Sequence, residues 1–541
     1  MTTLRCSIIF VLLVLSLLPA QSQASPTLDL DDMTLEQKVG QMFVMSFFGS
    51  ELNMPARDLL ITWQPGAIVF LPSNLENPAQ ITRLTNDIQQ SLVDSGSIPA
   101  FISVDQEGGL IAHLEEGFTT WAVPSLLTAT QNPELAYDFG QALATELRAV
   151  GINMNLAPVA DLQTNLANQV IGRRSFGNDP ELVSPIISAV IQGMQDNAVL
   201  ATIKHFPGHG DTLADSHLEL PTLNLSADDL LARELRPFVD AIQVDVGAVM
   251  VAHIHFPLID ESVIPASLST NIISGLLRDN LTYDGLVITD ALDMDAIDTV
   301  YSPSESAIRA IEAGNDLILL GAHISPENQA EAMQAVVDAV RNGDISEDRI
   351  NTSVDRILRA KERFDVLNWS PLDPNQAEVR INSEAHTELV NQMFQQGITL
   401  VHDDTSLLPL PQRTLMIYPA TRSTLGLACN RNDWQFLSVS RNPTETDIAT
   451  ASQVSQFVDA VVVITENASD NTAQQRLVSQ LPSDKTLIVA IWSPFDALVL
   501  PDISAYMVTY SPLAQAYEPL CDILHNEASA EGTLSVMLEA E

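Results

Sequence analysis

Val199-Leu200-Ala201-Thr202-Ile203-Lys204-His205-Phe206-Pro207-Gly208-His209-Gly210-Asp211-Thr212 opens as an apolar run and turns polar at Lys204. Residues 199–203 have the composition of a buried strand, and Lys204 stands where that strand leaves a core. Loops that leave strand ends are where a scaffold carries chemistry. The same pattern recurs along roughly the first 330 residues, with apolar runs at 42–47, 67–71, 100–104, 153–156, 200–204, 248–252, 286–289 and 317–320. Polar residues follow most of them: Asp105 and Glu107, Asp161, Lys204 and His205, His253 and His255, and Asp290. Helical segments lie between the runs. Thr34 and Gln37 fit a capping box, Asp179 precedes Pro180 at a helix start, and Gly151 closes a helix over 134–150. Eight strands alternating with helices predict an α/β fold whose N-terminal part is a (β/α)8 TIM-type barrel. An open doubly wound sheet is the competing arrangement. The barrel is favoured because it would gather the polar residues at the strand ends on one face.

The ends of the chain carry other signals. Residues 1–24 combine a basic start at Arg5, an apolar core over 8–18 and a small-residue cleavage pattern at Ser22-Gln23-Ala24, the marks of a removable secretory signal. Cys6 precedes the apolar core and is badly placed for lipid attachment. No later stretch reaches the roughly 18 apolar residues of a membrane span, so the expected mature protein is exported and free of an integral membrane segment; it is also expected to be a monomer. The catalytic domain is expected over 25–367 and a linker over 368–382, including Asn368-Trp369-Ser370-Pro371-Leu372-Asp373-Pro374. A smaller C-terminal α/β domain is expected over 383–541, with a helix near 384–396 and apolar runs at 415–418, 461–465, 487–492 and 506–510. The formal net charge of −44 repels nucleic acid and anionic membrane surfaces. Cys429 and Cys521 could form a disulfide after export or sit reduced in a core.

Three groups of residues carry candidate chemistry. Asp215 and His217 are two positions apart in one loop, close enough for the carboxylate to orient the imidazole and stabilise its protonated form. Such pairs also serve only to tie loops together. Gly208 and Gly210 beside Pro207 would supply hinge points. The second group is Asp290, delivered at the carboxyl end of Leu286-Val287-Ile288-Thr289, where a helix N-cap is the competing role. The third is Asp105, Arg174, Lys204 and His205, the donor and acceptor lining that sugar hydroxyls require. Lysine occurs only at 38, 204, 361 and 485, which makes Lys204 at a strand end less like a chance surface residue. His253 and His255 alternate near the sixth strand end, but no acidic or cysteine partner stands at ligand spacing, so neither a metal nor a cofactor is expected.

The stretch 204–217, with Leu218-Glu219-Leu220-Pro221 after it, resembles the signature of glycoside hydrolase family 3, in its β-N-acetylglucosaminidase branch. Asp105-Gln106-Glu107-Gly108-Gly109, Asn155-Leu156-Ala157-Pro158-Val159, Arg174-Ser175-Phe176 before Asp179-Pro180, the stretch 250–253, and Ile288-Thr289-Asp290 with Met294 match in the family's order. The resemblance implies a retaining mechanism. Asp290 is the nucleophile, His217 held by Asp215 is the acid/base, and Asp105, Arg174, Lys204 and His205 bind the terminal sugar. It implies as substrate a small oligosaccharide or muropeptide ending in N-acetylglucosamine, from peptidoglycan or chitin. A neutral imidazole also tolerates an anionic acceptor, which leaves a phosphorylase as an alternative, beside a β-glucosidase and an inactive sugar-binding barrel. Two positions depart from the family pattern. Leu110 replaces the usual arginine after the two glycines, and Thr289-Asp290-Ala291 retains a single acid. The C-terminal region resembles the α/β sandwich domain of many members.

Overall fold

The computed structural model describes residues 30–431, 433–501 and 504–538. The signal segment lies outside the described residues. Eight short parallel strands form the first sheet: β1 Phe43–Met45, β2 Ala67–Val69, β3 Phe101–Val104, β4 Met154–Asn155, β5 Leu200–Phe206, β6 Ala248–Val251, β7 Leu286–Thr289 and β8 Ile318–Leu319. Their order, β8-β1-β2-β3-β4-β5-β6-β7, is sequential apart from the return of β8 to β1. A parallel bridge between Ile288 and Leu317, with Thr289 N donating to Leu317 O at 3.1 Å, closes β7 onto β8. The barrel expectation is therefore met, and all eight apolar runs contain a strand.

Local signals act as their chemistry requires. Thr34 and Gln37 form a reciprocal capping box on the helix Leu35–Gln41, and Asp179 accepts from Glu181 N at the start of Pro180–Gln195. The helix Pro133–Ala149 ends just before Gly151, whose φ of 85° lies in the left-handed region.

A second sheet follows: β9 Thr399–Asp403, β10 Thr414–Pro419, β11 Gln435–Val439, β12 Ala460–Thr465, β13 Thr486–Ala490 and β14 Ala505–Val508. Its order is β9-β14-β13-β12-β10-β11, and only the β9–β14 pair is antiparallel. Cys429 and Cys521 are joined by a disulfide, with Cα atoms 5.0 Å apart.

The C-terminal domain packs tightly on the barrel. Helix Glu384–Gly397 lies against helix Pro124–Thr130, and one apolar cluster runs through both domains. Buried Glu146 accepts from Asn382 N and pairs with His386 Nδ1, both at 2.8 Å. The last described residues return to the barrel, where Asn178 exchanges two hydrogen bonds with Met537. This packing places the C-terminal domain beside the barrel segment that carries Arg174.

Candidate active site

Strand ends β3 and β5 build the centre of the site. Lys204 Nζ donates to Asp105 Oδ1 at 2.6 Å and pairs with Glu107 Oε1 at 2.8 Å. Arg174 forms a two-pronged pair with Glu107, Nε to Oε2 at 2.9 Å and Nη2 to Oε1 at 2.8 Å. Glu107 is thus the shared counter-ion of both cations, and its side chain is only 1% exposed. Burial alone would raise its carboxyl, but Lys204 and Arg174 overcome that and hold it at about 2. Asp105, 26% exposed, is the acid of this set that retains free surface for a ligand.

His205 has its own support. Its Nδ1 lies 2.6 Å from Asp161 Oδ2, and Asp161 also accepts the backbone N–H groups of His205 and His209. Burial, reinforced by the nearby Arg174, drives the His205 pKa well below its ordinary value, so the ring is neutral. With Nδ1–H donating to the carboxylate, Nε2 keeps a lone pair 3.4 Å from Arg174 Nη2. Burial raises the Asp161 carboxyl in spite of its donors.

Asp290 follows β7 and lies deep in the barrel mouth, with part of its surface open to the site. It caps no helix. Its Oδ1 accepts from the adjacent Ala291 N at 2.8 Å, and the next helix begins only at Asp295. Desolvation works to raise its pKa, but the polar His205 and His253 rings, the Ala291 N–H and the Lys204 charge bring it below the ordinary value. The result is an ionised carboxylate at the bottom of the mouth. His253 stands beside it, bridged from Nε2 to Ala291 O at 2.9 Å and from Nδ1 to Ser267 Oγ at 2.7 Å. Burial lowers the His253 pKa, Asp290 opposes that, and His217 lies close enough to lower it further. His255 has its backbone paired to Pro221 and Leu223 at the far end of the loop.

The loop after β5 holds Asp215 and His217 in direct contact. His217 Nδ1 lies 2.8 Å from Asp215 Oδ1, which also accepts the His217 backbone N–H at 2.9 Å. Desolvation opposes these contacts, yet they hold the Asp215 carboxyl below its ordinary value. Nδ1 is occupied, so Nε2 is the free nitrogen, on a side chain 60% exposed. Ser216 turns the other way, and its Oγ meets buried His209 Nε2 at 2.9 Å. The two motif glycines have different tasks. Gly208 has a φ of 131° and makes a turn, whereas a Cβ at Gly210 would come within 1.6 Å of Leu162 O. Gly210 is therefore a point of close packing rather than a hinge.

All four expected sugar-binding residues converge with Asp290, and the Asp215–His217 pair forms. Sequence reasoning did not assign roles to Glu107, Asp161, His209 or Ser216. The signal for Glu107 and Asp161 was their place just after strand ends; their partners are fixed only by barrel closure.

The chain matches the Glycosyl hydrolase family 3 N terminal domain over residues 34–360. It belongs to glycosyl hydrolase family 3. A relative from Pseudoalteromonas piscicida, named Beta-hexosaminidase A, is 30% identical over 424 residues, 71% of this chain and 70% of the relative. A Beta-hexosaminidase of Alkalilimnicola ehrlichii is 33% identical over 335 residues, 61% of this chain and 91% of the relative. Among solved structures, a family 3 β-N-acetylglucosaminidase from Paenibacillus sp. str. FPU-7 superposes with a TM-score of 0.81 at 37% identity, covering 94% of this chain and all of the other. The family 3 chain described here is accordingly a glycosidase, with its polar strand ends gathered at the barrel mouth as expected of that architecture.

Proposed function

We propose that this glycosidase is an exo-acting, retaining β-N-acetylglucosaminidase that removes terminal β-linked N-acetylglucosamine from peptidoglycan fragments or chitin oligosaccharides. The observation that carries this reading is the ionised Asp290 close to the clamp of Asp105, Arg174, Lys204 and His205, with the Asp215–His217 pair on the adjoining loop. Hexosaminidase names among relatives of substantial coverage support it.

In the first step, Asp290 attacks the anomeric carbon and the glycosidic bond breaks. The proton on His217 Nε2 passes to the departing oxygen, leaving a glycosyl ester on Asp290. In the second step, neutral His217 takes a proton from water, whose oxygen attacks the same carbon and releases Asp290. Asp215 steadies each imidazolium stage by direct charge pairing. Export through a removable leader belongs to the same reading, and the Cys429–Cys521 disulfide supports it because such bonds persist in oxidising compartments.

The test is hydrolysis of an aryl β-N-acetylglucosaminide. Asp290→Ala is expected to lower kcat/KM by about 10^4-fold or more. Equal rates for wild type and variant would sink the assignment. Product analysis in phosphate buffer should give free sugar; glycosyl phosphate as the main product would replace hydrolysis by phosphorolysis.

A further inference from the structure

A cleft of about 570 Å³ opens between the barrel mouth and the C-terminal domain. One wall is the barrel segment that runs to Arg174, and the other includes Trp492 and Phe495. Asp290 does not line it, but Arg174 does, so the cleft adjoins the sugar clamp.

The same barrel segment holds the loop that carries His217. Asn168 Nδ2 donates to His209 O at 2.8 Å and to Thr212 Oγ1 at 3.2 Å, and Asn165 Nδ2 reaches Asp211 O and Thr212 O at 3.4 Å. A group protonated by His217 has to depart beside that loop. The cleft wall is therefore continuous with the structure that positions the leaving group.

Its chemistry is specific. The Arg173 guanidinium lies 4.2 Å over the Trp492 ring. Among the described residues Arg173 makes no ion pair or hydrogen bond, and its Nη1 is a buried donor without a partner. Burial lowers its pKa, and the field of Asp470 opposes that shift. Asp470, which also faces the cleft, accepts instead from Asn467 Nδ2 at 2.6 Å. An unpaired guanidinium is unexpected in a chain of net charge −44. A planar fork of donors suits a carboxylate, and a partly exposed indole lining the cleft suits the apolar face of a sugar ring.

We propose that this interdomain cleft binds the part of the substrate beyond the scissile bond. Its preferred occupant is a sugar bearing a carboxylate, with the ring beside Trp492 and the carboxylate at Arg173. This rests on the β-N-acetylglucosaminidase reading and deepens it, choosing an acidic, muramyl-type leaving group over a neutral, chitin-type one.

Three substrates share the same terminal sugar: methyl β-N-acetylglucosaminide, N,N′-diacetylchitobiose, and N-acetylglucosamine β-1,4-linked to N-acetylmuramic acid. Steady-state kinetics of wild type, Arg173→Met and Trp492→Ala on all three separate the contributions. Methionine keeps an apolar stem against Trp492 while removing the charge. Arg173→Met is expected to lower the muramyl-to-chitobiose ratio of kcat/KM about tenfold, the scale of one charged hydrogen bond. Trp492→Ala is expected to lower both disaccharides about tenfold relative to the methyl glycoside. Unchanged ratios in both variants would overturn the proposal, and an equal fall of both disaccharides in Arg173→Met would overturn the carboxylate assignment. A wild type that releases no N-acetylglucosamine from any of the three is a separate failure, of the underlying function.

Discussion

The clamp at the strand ends and the loop after β5 are built by opposite rules. In the clamp the charges are paired and the central pair is sequestered, with Glu107 1% exposed and Lys204 3%. On the loop, the His217 side chain is 60% exposed, and Asp215 accepts from both its backbone N–H and its Nδ1. The contrast fits the work proposed for each. Gripping a sugar requires donors and acceptors fixed in advance, because reorganising them during reaction costs rate. Moving a proton to a leaving group and then from water requires a nitrogen that both can reach. The fold meets the first need with rigid strand ends and the second with a loop that is pinned at its roots.

Removing the working imidazole tests that division most severely. His217→Ala is expected to lower kcat/KM about 10²- to 10⁴-fold for leaving groups that need a proton. A dinitrophenyl glycoside, whose leaving group departs as a stable anion, should lose far less. Comparing the two substrates checks this, and equal losses would mean that His217 does not supply the proton.

Breaking the clamp should act through binding and stability instead. Glu107→Gln leaves Arg174 and Lys204 without their shared counter-ion and is expected to cost about 3–5 kcal/mol, measured by denaturant unfolding. The folded Glu107 carboxyl is depressed to about 2 from an ordinary value of 4.5. Its ionised form therefore contributes fully above pH 4.5, and that contribution is lost as pH falls toward 2. The gap between wild type and variant should narrow across that window. A gap that instead widened in acid would contradict the ion-pair account.

Legibility in the sequence follows the same line. The barrel was readable because its strands are buried on both faces and so appear as continuous apolar runs, most of them followed by a polar residue. The C-terminal strands β10, β12, β13 and β14 were found in the same way. Strands β9 and β11 were not, because they are the sheet's two edges. Gln435 and Ser438 on β11 are exposed, as is His402 on β9, so no apolar run marks either one. In the site, Asp215 and His217 could be paired from spacing alone. Glu107 and Asp161 could be placed at strand ends but not given partners, since Arg174 and His205 reach them only across the closed barrel.

Glu234 lies at the root of the loop and probes how firmly it is seated. A Cβ added at Gly208 would stand 3.1 Å from the Glu234 Cβ. One carboxylate oxygen of Glu234 accepts from Arg233 Nε at 2.8 Å, and the other is buried with no partner among the described residues. Burial pushes its pKa up to about 7 against the pull of Arg233. A raised acid is stabilising while protonated, so its contribution is complete below pH 4.5 and lost as pH rises through about 7. Glu234→Gln should remove that loss and gain on the order of 2–3 kcal/mol relative to wild type by pH 8. Thermal unfolding between pH 4.5 and 8 checks the slope, and parallel curves would show that Glu234 titrates normally.

The mildest change joins the two regions. Ser216 sits between Asp215 and His217 yet faces inward, where its Oγ meets His209 Nε2, and the His209 backbone N–H is held by Asp161. Asp161 also orients His205 in the clamp, so one chain of contacts runs from the clamp imidazole to the base of the Asp215–His217 pair. Ser216→Ala cuts that chain without touching either end. Freed of this anchor, the pair should spend less time in reach of the departing oxygen, lowering kcat about tenfold while KM changes little. The loss should be steeper for a methyl than for a dinitrophenyl leaving group, because only the former depends on the proton arriving on time. Ser216→Thr, which retains the hydroxyl, should restore most of the rate. Equal losses for both leaving groups, or no rescue by threonine, would mean that the contact only packs the loop and that the two regions work without this link.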